Sequence, residues 1–338
     1  VSAPRVVYTD PAWAVDGAGV FDAARAHVEH EVFGTDVGLD FAPHDRGYAT
    51  DERLLDAVRG ADGLVIYRCP VTPELLDAAG PRCRVVARSG VGIDNLNADL
   101  LRTRGVCGFN VPDYCGDEVS THTVALLLAL ERHVPLQDRL IRAGRWGIHR
   151  GGVPRRTAVR DVGIVGFGRI GRATSRKLQA FYRRVYAYDP YVPADVPAGH
   201  GVTAVDSVAE LFGVADAVVL HAALTPETEH LIDSGALAHA RPGAFLVNTA
   251  RGRLVDPEAV LAALESGRLG GFGSDVFSPE DPNVGPVTRK LLDRDDVVVS
   301  SHRAFLSVES ELSLRRRVAT GVRALLVDGI PPDQGRVA

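Results

Sequence analysis

Apolar and polar positions along the chain fall into two alternating signatures. Short unbroken apolar runs predict strands, and longer stretches whose apolar positions return every three or four residues predict helices. Strands are expected at Arg5–Tyr8, Gly63–Tyr67, Arg84–Ala87 and Val106–Phe109, with helices between them at Phe21–His30, Arg53–Arg59, Pro73–Ala79 and Leu96–Arg102. Parallel strands need a helix-length crossover, so this alternation means a parallel sheet, and its first unit is expected to finish at Asn110-Val111-Pro112. Glu118–Arg142 is the longest helical pattern. Nearly continuous in Val, Ala and Leu at its start, it predicts a helix buried on most faces, broken by Gly144 and by Gly151-Gly152-Val153-Pro154.

The rhythm then resumes. Strands are expected at Val162–Val165, Arg184–Tyr188, Ala217–His221, Ala244–Val247, Gly271–Val276 and Val297–Ser300, and helices at Arg169–Ala180, Ser207–Phe212, Ser234–His239 and Pro257–Ser266. An amphipathic, arginine-rich helix at Ser307–Val327 should pack back on the first unit. The expected fold class is α/β, with two doubly wound parallel-sheet domains. Residues 1–112 and 302–338 form one of them, flavodoxin-like, and residues 113–301 a second inserted in it. At 338 residues the chain is long enough for both cores.

The insertion carries the strongest local signal. The buried-strand run Val162–Val165 leads into Gly166-Phe167-Gly168-Arg169-Ile170-Gly171, a G-x-G-x-x-G between a strand and a helix. Gly166 permits the tight turn, Gly168 leaves no Cβ between backbone and pyrophosphate, and Gly171 lets the helix pack closely. The helix opening at Arg169 and Ile170 points free N–H groups and its positive end at that phosphate. The next strand ends in Asp189, whose carboxylate is spaced to accept both ribose hydroxyls, and Pro190-Tyr191 offers no arginine for a 2′-phosphate. The cofactor is therefore expected to be NAD, residues 113–301 a Rossmann NAD-binding domain, and the flavodoxin-like unit around it the substrate domain.

Composition narrows the partners. A hydrophobic fraction of 46%, a charged fraction of 24% and a net charge of −5 are those of a globular chain, with no apolar run of bilayer length and no basic cluster for nucleic acid. No signal peptide is visible, so the cytoplasm is the expected compartment. The cysteines Cys69, Cys83, Cys107 and Cys115 show neither C-x-x-C nor metal-like grouping with histidine, and are expected to be buried thiols with no metal.

Three residues stand at or just after expected strand ends of the second unit: Arg251, Glu280 and His302. A guanidinium grips a carboxylate through two parallel hydrogen bonds and polarises the adjoining carbonyl. A histidine can deliver or remove a hydroxyl proton while hydride moves, and a hydrogen-bonded glutamate fixes its tautomer.

Across nearly its whole length the chain resembles the NAD-dependent D-isomer-specific 2-hydroxyacid dehydrogenases. The resemblance rests on Gly166–Gly171 with Asp189, on Asn248-Thr249-Ala250-Arg251-Gly252 with Leu254-Val255-Asp256, on Asp275-Val276-Phe277 followed by Glu280, and on His302. It implies that Arg251 binds the substrate carboxylate, that Glu280 and His302 are the acid–base pair, and that Asp275 contacts the nicotinamide carboxamide. Thr249 and Ala250 join the cofactor residues. The loop Arg88-Ser89-Gly90-Val91-Gly92-Ile93-Asp94 is implied to receive the substrate carboxylate on its backbone N–H groups, and a homodimer is implied. Within the family, Gly243–Gly252 is most similar to the branch holding the C-terminal binding proteins, so a second reading is an NAD(H)-sensing binding module of corepressor type with little turnover.

Departures from the family pattern sharpen the substrate question. In Ser301-His302-Arg303-Ala304-Phe305 a cation follows the histidine; Ser278 stands where many members carry Glu, and Gly116 where many carry Thr. Arg303, with Phe305, is expected to favour a small anionic substrate with a second anionic group such as phosphate or phosphonate.

Overall fold

In the computed structural model, which describes residues 3–16, 18–43 and 48–338, the chain leaves one α/β unit after Tyr114, builds a second over Cys115–Leu306, and returns to the first over Ser307–Ala338. The expected junctions were after 112 and after 301, so the return is displaced past His302. Its cause is local hydrogen bonding. The N–H of His302 donates to the Asp275 carbonyl (2.7 Å), and those of Arg303 and Ala304 donate to the Asp275 carboxylate (2.9 and 2.8 Å). Only at Ser307 does a new element begin, where Ser307 and Ser310 satisfy each other's backbone N–H groups in a reciprocal cap.

The first unit is a five-stranded parallel sheet of β1 (Arg5–Tyr8), β2 (Gly38–Phe41), β3 (Gly63–Ile66), β4 (Val85–Arg88) and β5 (Cys107–Asn110). Its order is β2-β1-β3-β4-β5, the flavodoxin-type winding. Successive side chains point to opposite faces, which lets two cores form from one set of strands. Val7, Leu64, Ile66 and Val86 meet the helices Glu52–Val58, Pro73–Ala79 and Ala98–Arg104. Val6, Val65, Val85 and Ala87 meet the helices His27–Phe33 and Val308–Arg323. The arginine-rich helix is thus a first-unit element. Its buried Arg315 forms an ion pair with buried Glu29 (2.7 Å), and Arg316 pairs with Glu31 (2.8 Å).

The second unit is a seven-stranded parallel sheet of β6 (Asp161–Val165), β7 (Arg184–Tyr188), β8 (Thr203–Ala204), β9 (Ala217–Leu220), β10 (Ala244–Asn248), β11 (Leu269–Ser274) and β12 (Val297–Val299). The order β12-β11-β10-β9-β6-β7-β8 reverses direction between β9 and β6, a topological switch point. The helices Gly116–Glu131 and Arg169–Leu178 contribute Leu127, Leu130 and Leu178 to the core on one face. Val208–Val214, Ser234–Ala238 and Pro257–Glu265 cover the other.

Four expectations about elements change. The single helix Glu118–Arg142 is two, Gly116–Glu131 and Val134–Arg142, separated by His133 in the left-handed region at φ 56°. Pro135 lies in the first turn of the second helix, where its missing N–H costs nothing, so it starts a helix rather than continuing one. The helix Phe21–His30 is a 3-10 turn Ala23–Ala26 running into His27–Phe33. Strands β2 and β8 and the helix Pro286–Leu292 had no counterpart in the sequence reading. Ser307–Val327 resolves into Val308–Arg323 with a π turn over Ala324–Asp328.

Candidate active site

The chemistry-bearing residues of the second unit gather where its strands end at their carboxyl termini. After β6, Gly166 adopts φ 90°, and a Cβ there would lie 2.6 Å from the Ala222 nitrogen; at Gly171 it would lie 2.1 Å from the Gly166 carbonyl oxygen. Gly168 has the opposite surroundings, with nothing within 4 Å of a built Cβ, directly before the helix Arg169–Leu178. Tight behind and open in front, this turn exposes bare backbone at a ten-residue helix N-terminus, with Arg169 exposed and Ile170 half-buried beside it. It fits a pyrophosphate. Asp189 follows β7 and accepts from the N–H groups of Phe167 (2.7 Å) and Tyr191 (3.0 Å), one on each carboxylate oxygen. The acid is thereby fixed to the glycine turn while each oxygen keeps a lone pair for a ribose hydroxyl. His221, which ends the β9 side of the switch point, lies 2.8 Å from the Thr174 hydroxyl through Nε2. Burial pushes its imidazole down to about 3.

His302 and Glu280 come together with His302 Nδ1 2.6 Å from a Glu280 oxygen. A carboxylate can only accept, so Nδ1 carries the proton, and Nε2 is the ring nitrogen left to exchange one. Arg251 reaches the same end of the sheet from β10. Its turn is organised by Asn248, whose amide donates to the Arg251 carbonyl (2.8 Å) and whose oxygen accepts from the Ala250 N–H (3.0 Å). The Arg251 guanidinium donates to the Ala250 carbonyl (2.8 Å). Gly252 then packs on the Phe277 backbone so closely that a Cβ would lie 2.1 Å from its carbonyl carbon. The turn bearing Arg251 and the segment leading to Glu280 are therefore in contact. Thr249 faces Thr123 across 2.7 Å. Thr123 already donates to the Val119 carbonyl, so Thr249 is the donor of this pair and keeps its own lone pairs.

The substrate residues expected at Arg88–Asp94 lie in the first unit and are arranged less openly than the sequence suggested. The Ser89 and Gly90 N–H groups donate to Ile66 and Arg88 carbonyls (2.7 and 2.9 Å). Among the described residues, the N–H groups of Val91 and Gly92 have no such partner. Asn110 steadies the loop by donating to the Val91 carbonyl, and Asp10 draws in the N–H groups of Tyr67, Arg68 and Cys69 with its carboxylate (2.8, 2.5 and 2.9 Å). Arg303 is exposed, whereas Phe305 is half-buried; among the described residues the Arg303 guanidinium has no ion pair.

Asn248, Asp10 and the pair His122 and Ser300, which approach within 2.8 Å, were not singled out from the sequence. Only Asn248 had a signal, its place in Asn248–Gly252. Of the four cysteines, Cys69, Cys83 and Cys115 are buried thiols, as expected, and Cys107 is half-buried. Among the described residues no helix is long and apolar enough to cross a membrane.

Known proteins are similar to this chain in sequence and in fold. The model of the D-isomer specific 2-hydroxyacid dehydrogenase NAD binding domain matches residues 124–304. The D-3-phosphoglycerate dehydrogenase of Mycobacterium tuberculosis is 36% identical over 83% of this chain and 52% of its own length, so the chain spans about half of such relatives. The glyoxylate reductase of Korarchaeum cryptofilum is 34% identical over 90% of both chains. A solved structure from Thermus thermophilus superposes with a TM-score of 0.82 at 29% identity, covering 99% of this chain and 100% of that one.

Proposed function

From its membership of the D-isomer specific 2-hydroxyacid dehydrogenase family, whose NAD-binding domain it carries, we propose that the chain interconverts a small 2-keto acid and the matching D-2-hydroxy acid. The nicotinamide of NAD(H) supplies or takes up the hydride. Gly166, Gly168 and Gly171 with the helix N-terminus at Arg169 and Ile170 hold the pyrophosphate, Asp189 the ribose, and Thr249 and Ala250 the nicotinamide end; Asp275, 1% exposed with both carboxylate oxygens accepting from Ser300, Arg303 and Ala304, supports that end from within the turn rather than by contact. Arg251 binds the substrate carboxylate and steadies negative charge that develops on the carbonyl oxygen. His302 gives its Nε2 proton to that oxygen in the reducing direction and recovers it in the oxidising one, while Glu280 holds the ring in register. Ser89, Gly90, Val91 and Gly92 bind substrate on their loop, with Val91 and Gly92 supplying the N–H groups.

The observation that carries this reading is the 2.6 Å contact of His302 with Glu280 on the sheet edge that also bears the glycine turn. It is tested by NADH oxidation with a panel of 2-keto acids. His302→Ala should lower kcat by about 10²–10⁴-fold, the usual worth of general acid–base catalysis, and leave NADH affinity nearly unchanged. Absent turnover together with NADH-dependent dimerisation would instead favour the corepressor-type sensor.

On substrate class we propose a second anionic group, read by the exposed Arg303 guanidinium with Phe305 beside it. Relatives named D-3-phosphoglycerate dehydrogenase and glyoxylate reductase span both possibilities, a phosphorylated acid and a small monoanion. Dianionic keto acids should outcompete pyruvate-like monoanions, and Arg303→Ala should erase the difference. Equal losses for both classes would remove Arg303 from substrate recognition. The reading also includes a cytoplasmic homodimer, checked by sedimentation.

A further inference from the structure

The His302 backbone lies in the left-handed region at φ 53°, a conformation that a residue with a side chain keeps only when its surroundings over-determine it. Its backbone is held there by Asp275, 1% exposed. Three consecutive N–H groups converge on it: His302 donates to its carbonyl, Arg303 to Oδ1 and Ala304 to Oδ2. This grip depends on the angle of the carboxylate plane. Ser300 fixes that plane by donating to Oδ1 across 2.5 Å, and His122 Nε2 lies 2.8 Å from the same hydroxyl. A serine has one proton. Because it sits between Oγ and an acid that can only accept, the Ser300 oxygen must accept from His122, so Nε2 carries a hydrogen. His122 stands on the Gly116–Glu131 helix, whose next residue, Thr123, holds Thr249.

We propose that His122 is a positioning residue for His302, acting through Ser300 and Asp275. It anchors the strained turn to a rigid helix, and so fixes where the proton-transferring imidazole stands. The role rests on the dehydrogenase reading given above. His122 touches the proton-transfer pair through no direct contact; its effect should appear in kcat and hardly in NADH affinity.

The test uses His122→Leu, which removes the donor, and His122→Gln, whose amide nitrogen can occupy the Nε2 position. The Leu variant should lower kcat by about ten- to a hundred-fold, the penalty of a displaced catalytic group, with NADH binding nearly constant. The Gln variant should recover most of that loss. Ser300→Ala should mimic Leu, and adding His122→Leu to it should change nothing further, since both act along one chain. A Gln variant as slow as Leu would overturn the proposal, as would a Ser300→Ala effect that multiplies with that of His122→Leu. Should the Leu variant not fold, Ser300→Ala decides the matter alone: wild-type kcat in it would overturn the proposal. A second readout does not need turnover: the proton between His302 and Glu280 should give a far-downfield NMR resonance that is lost or displaced in His122→Leu and returns in His122→Gln. If wild type reduces no keto acid but this resonance behaves as stated, the dehydrogenase reading fails and the positioning role stands. An unchanged resonance in His122→Leu refutes the positioning role whatever the activity.

Discussion

Asp189 and His221 show how single side chains beside the glycine turn take on different tasks. Asp189 spends one lone pair of each oxygen on the backbone of Phe167 and Tyr191, so its charge is held at a fixed point near the proposed ribose site. A 2′-phosphate would meet that charge directly. Asp189→Ala should reduce the kcat/KM preference for NADH over NADPH by roughly ten-fold, about 1.4 kcal/mol; a wild-type protein that used NADPH better would refute the assignment. His221 is held neutral by burial, which pushes its ring down to about 3 from an ordinary 6.5. Below pH 6.5 the unfolded chain takes up a proton that the folded chain refuses until about pH 3. Stability from this group is therefore complete above 6.5 and lost progressively as pH falls, by at most about 1.4 kcal/mol per unit and less where solvent reaches the ring. His221→Gln keeps a partner for Thr174 but does not titrate. Its melting temperature relative to wild type should rise between about pH 7 and about pH 5, and a pH-independent difference would count against the neutral ring.

At the scale of elements, the site depends on turns meeting without intervening side chains. Gly252 meets the Phe277 backbone, which cannot yield as a flexible side chain would. Gly252→Ala should destabilise by about 1–3 kcal/mol and lower turnover by separating Arg251 from the segment leading to Glu280. Gly116 opens the Gly116–Glu131 helix with nothing near a built Cβ, so Gly116→Ala should be neutral or stabilising by up to about 1 kcal/mol. Thermal melts and NADH oxidation on the two variants test the contrast; equal behaviour would mean that the Gly252 contact is not limiting. These elements also show what the sequence could convey. Among strands covered on both faces, β9 is apolar throughout and β6 and β10 carry a polar residue only at one end, so they announce themselves. The edge strands β2 and β8 are short and partly exposed, so they leave no run to read. Pro135 was a legible start signal inside an otherwise continuous helical pattern, and the pattern masked it. The residues Arg251, Glu280 and His302 stood out through motif and order. The grip of Asp275 on three successive N–H groups did not, because it depends on a left-handed turn at His302 that no periodicity encodes.

The whole molecule divides into two units with separate cores, and its two tryptophans divide with them. Trp13 lies in the first unit under the Arg315 guanidinium, 3.8 Å from the ring centre, with Tyr8 and Phe41 at its edges. Trp146 in the second unit is 79% exposed and would change little on unfolding. Fluorescence of a Trp146→Phe variant therefore reports the first unit, while calorimetry reports both. A ligand stabilises only the structure that binds it, and at a hundred-fold excess over Kd it contributes about 2.7 kcal/mol. If NAD⁺ binds through the glycine turn and Asp189, that energy belongs to Cys115–Leu306, and for a unit of this size it corresponds to roughly 5–10 °C. Heating with and without NAD⁺ should then move one calorimetric transition upward and leave the Trp13 transition in place. Domains with their own cores can unfold separately, but a large apolar interface would couple them. A Trp13 transition that rises in step with the NAD⁺-stabilised one would show that the two units melt as a single cooperative body, with cofactor binding in one setting the stability of the other.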